Sequence, residues 1–263
     1  MRSLSSSTSR PQPRGSGREK KKTRYRYVYG IITSKKPCDF GTIGIDGAEV
    51  VTLHFRDIAA VISDAGSDRY EILDHGVNHQ QVVEQIAEEY TILPMGFGHI
   101  STEQDVISFL QQHYRTIKAM EKKITGMVEL GVRAQWKMDA VMEAIAAENA
   151  AIATLRDQIK GRSEKDSYRM QIDLGKRIAQ ELEKRRDQLS RKVVSALGGH
   201  AADTRVSTPK SDKTVLNAAF LVPVQKEADF DLAVNTVEEQ YRTVLHLSYF
   251  RSPPYSFINL RVR

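Results

Sequence analysis

The chain has 263 residues, 40% of them hydrophobic and 27% charged, which excludes a wholly disordered protein and leaves apolar mass for one large core or two small ones. Its longest apolar runs, such as Val50 to Phe55 and Ala218 to Val224, fall far short of the roughly 20 residues a membrane-spanning helix requires, so a soluble protein with no membrane partner is expected. Of the 39 basic and 33 acidic residues, positions 1–24 hold eight and one, leaving 31 and 32 in the body; the net charge of +6 therefore belongs to a tail and does not imply a phosphate-tracking surface.

That tail, residues 1–24, is rich in Ser, Pro and Gly before the run Arg18-Glu19-Lys20-Lys21-Lys22, and its composition predicts disorder. It has no apolar stretch of the kind a secretory signal needs. A first α+β unit is expected over 25–125. Tyr25 to Ile32 reads as a strand with Tyr25, Tyr27 and Tyr29 on one face and a bend at Gly30. Asp46-Gly47 is a tight-hairpin pair ahead of a second strand, Glu49 to Phe55, and Ile58 to Ser63 forms a third. Arg69 to Tyr90 reads as a helix with Ile72, Val82, Val83 and Ile86 turned inward. A short strand follows over Ile92 to Gly98, at an edge or bulge where Pro94 is tolerated, and Thr102 caps a helix running to about Lys123.

A second unit is expected over 126–263. Met127 to Trp136 alternates as a strand. Met138 to about Lys160 carries a heptad seam of Met138, Ile145, Ile152 and Ile159, and the reading is one continuous helix. After a polar turn at Gly161 to Asp166, a second long helix runs from Ser167 to Leu197, so the pair should form an antiparallel hairpin over 138–197. His200 to Lys213 reads as a polar loop, Val215 to Val224 as a strand, Asp229 to Tyr241 as a helix and Arg242 to Phe250 as the last strand. This order suits a small mixed sheet covered on one face by helices, an elaborated ferredoxin-like arrangement with an inserted helical hairpin. No repeat of fixed period is visible.

Few residues invite a chemical reading. A single cysteine, Cys38, excludes an internal disulfide and suits a reducing cytoplasm. His75 and His79 stand four apart on a helix, but no zinc-protease pattern joins them, and they read as structural or surface histidines. Ser252 and Ser256 lack an activating base, and Glu88 and Glu89 are neighbours that point about 100° apart on a helix. Trp136 reads as a core residue. The cations of the second long helix are interleaved with Glu181, Glu183 and Asp187, as on a solvated face. No catalytic, cofactor or metal site is expected.

The end of the chain is the most distinctive stretch. Leu245 to Phe250 stops at Pro253-Pro254, and Tyr255, Phe257, Ile258 and Leu260 follow, too apolar to be left in water. The Pro253-Pro254-Tyr255-Ser256-Phe257 terminus resembles that of the gas vesicle accessory proteins F and L. Tyr27-Val28-Tyr29-Gly30-Ile31, the helix at His79 to Val83 leading to Leu93-Pro94-Met95-Gly96-Phe97-Gly98, Glu129-Leu130-Gly131-Val132-Arg133 with Trp136, and Asn217 to Val222 match the same family in order and spacing. Gly96, Leu130 and Phe250-Arg251-Ser252 depart from its usual residues. The resemblance implies two α+β domains and a non-enzymatic role in the cytoplasm, in which the protein associates with the hydrophobic shell protein A and other accessory proteins as vesicles form. The candidate contact residues are Leu93, Pro94, Met95 and Phe97, on a segment that a proline and two glycines keep irregular, together with Pro253, Pro254, Tyr255 and Phe257. The alternative is a nucleic-acid-associated α+β protein using its basic tail.

Overall fold

β1 (Tyr25–Thr33) is the strand on which the first half is built. Alternation puts Tyr27 and Tyr29 on one face and Val28 on the other; a bulge between Val28 and Gly30 then exchanges the faces, so Ile31 joins Val28 and Ile32 joins the tyrosines. The computed structural model describes residues 24–260, so all of the expected tail except Arg24 lies outside the described residues. β2 (Val50–Phe55) and β3 (Ile58–Asp64) form a hairpin beside β1, while β4 (Ile92–Pro94) and β5 (Ile100–Thr102) pair with its other side. Helix α1 (Ile72–Ala87) covers the tyrosine face with Val82, Val83 and Ile86, and α2 (Glu103–Ile124) covers the opposite face with Val106, Leu110 and Ile117. The Thr102 hydroxyl caps α2 by accepting from the Asp105 N–H at 3.2 Å.

Several expectations change here. Asp46 and Gly47 do form the tight turn, with φ of +57° and +73°, and the Ala48 N–H donates to the Ile45 carbonyl at 3.1 Å. The turn closes a loop whose Cys38–Gly41 arm bonds back to Val50–Thr52 around an Asp39–Val51 bridge, and the strand hairpin proper is β2–β3. Ile72 is 63% exposed because it lies in the first turn of α1, ahead of the buried stripe that begins at His79. The strand expected over 92–98 stops at Pro94, and β5 is a separate strand.

The second sheet joins β6 (Met127–Trp136), β7 (Asp203–Val206), β8 (Thr214–Pro223) and β9 (Leu245–Ser252) in the order β7-β8-β6-β9. All three pairings are antiparallel, which corrects the expected mixed sheet and is the strand order of a ferredoxin-like unit. β7 lies in what read as a polar loop; its four residues expose Arg205 and Val206, so no apolar alternation marks it. The expected 138–160 helix is two, α3 (Met138–Glu148) and α4 (Ala150–Ile159), because Asn149 leaves the helical region and its side-chain oxygen accepts from the Ile152 N–H at 3.2 Å. α5 (Glu164–Gly198) starts earlier than expected, since Ser163 caps it through the Asp166 N–H at 3.2 Å, and α4 packs against it. α6 (Glu227–Tyr241) completes the helical layer.

Three apolar clusters result. One lies between α1 and the tyrosine face of β1, and another between the second sheet and helices α3 to α6. The third lies between them and draws on both sheets, with Val28, Ile31 and Ile62 from the first, Ala219 and Leu221 from the second, α2, and Phe257 and Leu260 of the terminus. The second sheet is therefore covered on part of its other face as well, beyond the single helical layer expected.

Gly30 sits where β1 and β4 approach most closely: a Cβ there would lie 2.7 Å from the Ile92 side chain and 2.9 Å from the Leu93 carbonyl. Gly30→Ala should therefore lower stability by about 1–3 kcal/mol, read as a drop of several degrees in the melting temperature.

Candidate partner-binding surface

The terminal segment is bound to the body by a buried carboxylate. Glu129 on β6 is only 5% exposed, and it accepts from the Ser256 N–H at 2.8 Å and the Ser256 hydroxyl at 2.6 Å. Burial raises its pKa, and these two bonds partly offset the rise. The prolines 253 and 254 are buried, Phe257 enters the middle cluster, and Tyr255 packs against the cluster behind α1.

Tyr255 also meets a second buried polar centre. His79, 3% exposed, sits between the rings of Tyr27, Tyr29 and Phe97. Its Nε2 is 3.2 Å from the Met95 carbonyl, which can only accept, so the proton resides on Nε2 and Nδ1 accepts the Tyr27 hydroxyl at 2.9 Å. The Tyr27 oxygen in turn accepts the Gly98 N–H at 3.0 Å, and Tyr255 Oη lies 3.5 Å from Nε2. Desolvation holds His79 down to about 4 and pushes the Tyr27 and Tyr255 hydroxyls up. His75 does not join it: it faces outward, with Nε2 3.5 Å from Asp46. Among the described residues no three His, Cys, Asp or Glu side chains are grouped to hold a metal, and no helix is long and apolar enough to cross a membrane.

The candidate contact residues thus have distinct placements. Leu93, Pro94 and Met95 are buried; Phe97 is half-buried against Tyr27 and His79; of the terminal set, Tyr255 alone keeps part of its surface. Between the two sheets a cleft of about 670 Å³ is lined by Glu84, Glu88, Tyr90, Arg251, Pro253 and Pro254, which brings the end of α1 to the terminus. Apolar surface is exposed elsewhere, at Ile72, Leu73 and Val77 on α1 and at Tyr249 and Phe250 on β9. Ile72 is expected in the core from its helical spacing, and nothing in the strand-like run from Arg242 to Phe250 marks Tyr249 and Phe250 as exposed.

The family model for the gas vesicle synthesis protein GvpL/GvpF matches residues 25–259. The chain belongs to this family. It is 28% identical over 239 residues to gas vesicle protein F of Streptomyces sp. (strain CB03234), covering 88% of this chain and 98% of that one. It is 25% identical over 239 residues to gas vesicle protein F of Nostoc sp. (strain PCC 7120 / SAG 25.82 / UTEX 2576), covering 89% and 97%. The crystal structure of GvpF from Anabaena sp. PCC7120 superposes with a TM-score of 0.77 at 24% identity, over 91% of this chain and 99% of that chain, and GvpF from Microcystis aeruginosa gives 0.73 at 23%, over 90% and 99%. The family match therefore runs through the last described turn, Tyr255–Phe257.

Two outcomes follow from these buried groups. Unfolded chains take up a proton on His79 near pH 6.5, whereas the folded protein refuses it until about pH 4, so unfolding free energy should fall as pH drops through that window, by at most about 3 kcal/mol. Denaturant titrations should show a shallower decline for His79→Gln. Removing residues 253–263 strips Phe257 from the core and leaves Glu129 unfilled, and should cost at least about 2 kcal/mol and several degrees of melting temperature. An unchanged melting curve would contradict this account of the terminus.

Proposed function

We propose that this protein is an accessory factor in gas vesicle formation that associates with vesicles, binds the hydrophobic shell protein A and other accessory proteins, and does no catalysis. The match to the gas vesicle synthesis family along residues 25–259 carries this reading. The physical argument runs the same way. A shell subunit with one strongly apolar face aggregates through exposed surface and open strand edges unless a soluble partner covers them first. Exposed apolar side chains on α1 and β9 supply surface for such a partner contact. We further propose that residues 25–125 and 126–263 act as two units, since the boundary falls between the end of α2 at Ile124 and the start of β6 at Met127.

Contact through apolar burial or main-chain pairing is little screened by salt, whereas contact led by the basic tail weakens sharply with ionic strength. Co-purification of shell protein A should therefore persist in high salt and after removal of residues 1–22. Failure of the wild-type protein to retain the shell subunit at any ionic strength, or normal vesicles in a deletion strain, would overturn the assignment. Because Phe97 packs on His79, Phe97→Asp must be checked for folding before its effect on retention is read.

A further inference from the structure

The four sheet edges are not equivalent. β2 is covered along Val50 to Thr52, where Phe40, Val50 and Thr52 N–H groups donate to Val50, Gly41 and Cys38 carbonyls at 2.8–3.2 Å. β4 and β5 have three residues each, and β4 ends in a proline. β7 has four. β9 has eight, pairs with β6 in one uninterrupted register from Trp136↔Leu245 to Glu129↔Ser252, and contains no proline, lysine or bulge to close the edge; its one charged residue, Arg251, is tied to Glu227 of α6. Tyr249 and Phe250 on it are 37% and 48% exposed.

The phase of the ladder identifies the free groups. The Lys137 N–H donates to the Val244 carbonyl at 2.8 Å, so the residues of β9 that bond to β6 are His246, Ser248, Phe250 and Ser252. Leu247, Tyr249 and Arg251 turn their N–H and C=O outward, and among the described residues no backbone or side-chain group bonds to them. The flanks of this edge differ. On one side lies α6, whose Glu227 accepts from Arg251 and whose Asp231 accepts from the Tyr249 hydroxyl; Glu238, seven residues beyond Asp231, continues the same stripe. Of these carboxylates, Glu227 pairs with the Arg251 guanidinium, Asp231 with the Tyr249 hydroxyl, and Glu238 is exposed. On the other side the ring of Phe250 lies over Gly131 with Ser248 beside it.

We infer that the β9 edge is a docking site for an extended segment of a partner polypeptide, which adds as a fifth strand through Leu247, Tyr249 and Arg251. Strand alternation gives that segment its chemistry: basic side chains toward Glu227, Asp231 and Glu238, and apolar ones toward Phe250. The inference does not depend on which protein supplies the segment.

The test uses the full chain and two synthetic ten-residue probes, one alternating Val and Lys, the other Val and Glu. The Val/Lys probe should slow amide exchange at residues 247, 249 and 251 by about tenfold or more, and the Val/Glu probe should not. Arg251→Pro removes an outward amide while leaving the β6 ladder complete, and should weaken Val/Lys binding by about tenfold; Arg251→Ala keeps the amide and should stay within about threefold of wild type. Circular dichroism and melting curves establish that both variants are folded, and Phe250→Asp provides a second disruption that leaves the backbone unchanged. No binding of the Val/Lys probe, protection at other amides instead, or equal affinity of the Pro and Ala variants would overturn the proposal. Shell-protein retention is scored separately, so loss of the proposed function and loss of this edge are read from different measurements.

Discussion

A carboxylate removed from water is tolerated only when its lone pairs are filled, and in this protein Glu129 is filled by the last turn of the chain. Both donors come from Ser256, which fixes the terminus along the strand and sets Phe257 and Leu260 into the middle cluster. That cluster is where side chains of the two sheets meet, so one polar contact and the burial around it hold the end of the polypeptide across the junction. The Pro253-Pro254 pair prepares this geometry by ending β9 without a further ladder donor.

A second polar centre lies on the other side of the first sheet. His79, Tyr27, the Met95 carbonyl and the Gly98 amide form a chain in which the neutral imidazole donates once and accepts once. The bulge in β1 is what allows this, because the exchange of faces at Gly30 lets Tyr27 and Tyr29 face α1 while Ile31 faces α2. Tyr255 reaches the same histidine from the terminus, so both buried centres are in contact with the final segment. Burial there contrasts with the apolar side chains exposed on α1 and β9.

The two sheets share one strand order, β2-β3-β1-β4 and β7-β8-β6-β9, with the strands of each running antiparallel. The first sheet replaces the crossover helix after its first strand with the Asp46-Gly47 loop, whereas the second expands that crossover into α3, α4 and α5. A common order reached with such different connections leaves no repeat of fixed period to be seen in the residues. The resulting edges also differ: the first sheet's are short or covered, and the second retains β9.

What the residues determined by themselves was local. Alternation in Tyr25–Tyr29 and Met127–Trp136, the tight turn at Asp46-Gly47 and the Thr102 cap each rest on side chains close in sequence, and each was legible there. The α+β class and the ferredoxin-like arrangement followed from the order of those elements, and the family resemblance from separate residue motifs ending in Pro253-Pro254-Tyr255-Ser256-Phe257. The helix break at Asn149 is masked by the heptad seam that continues across it, although an asparagine inside a helical run is itself a capping signal. Tertiary structure alone decided the rest. β7 became a strand because β8 offered it an edge, Leu93 and Met95 became core because their segment bonds to β1 and lies under α2, and Glu129 became a buried acceptor because a residue 127 positions later came to meet it. Burial and pairing of this kind depend on partners distant in the chain, and no local pattern encodes which partner will arrive.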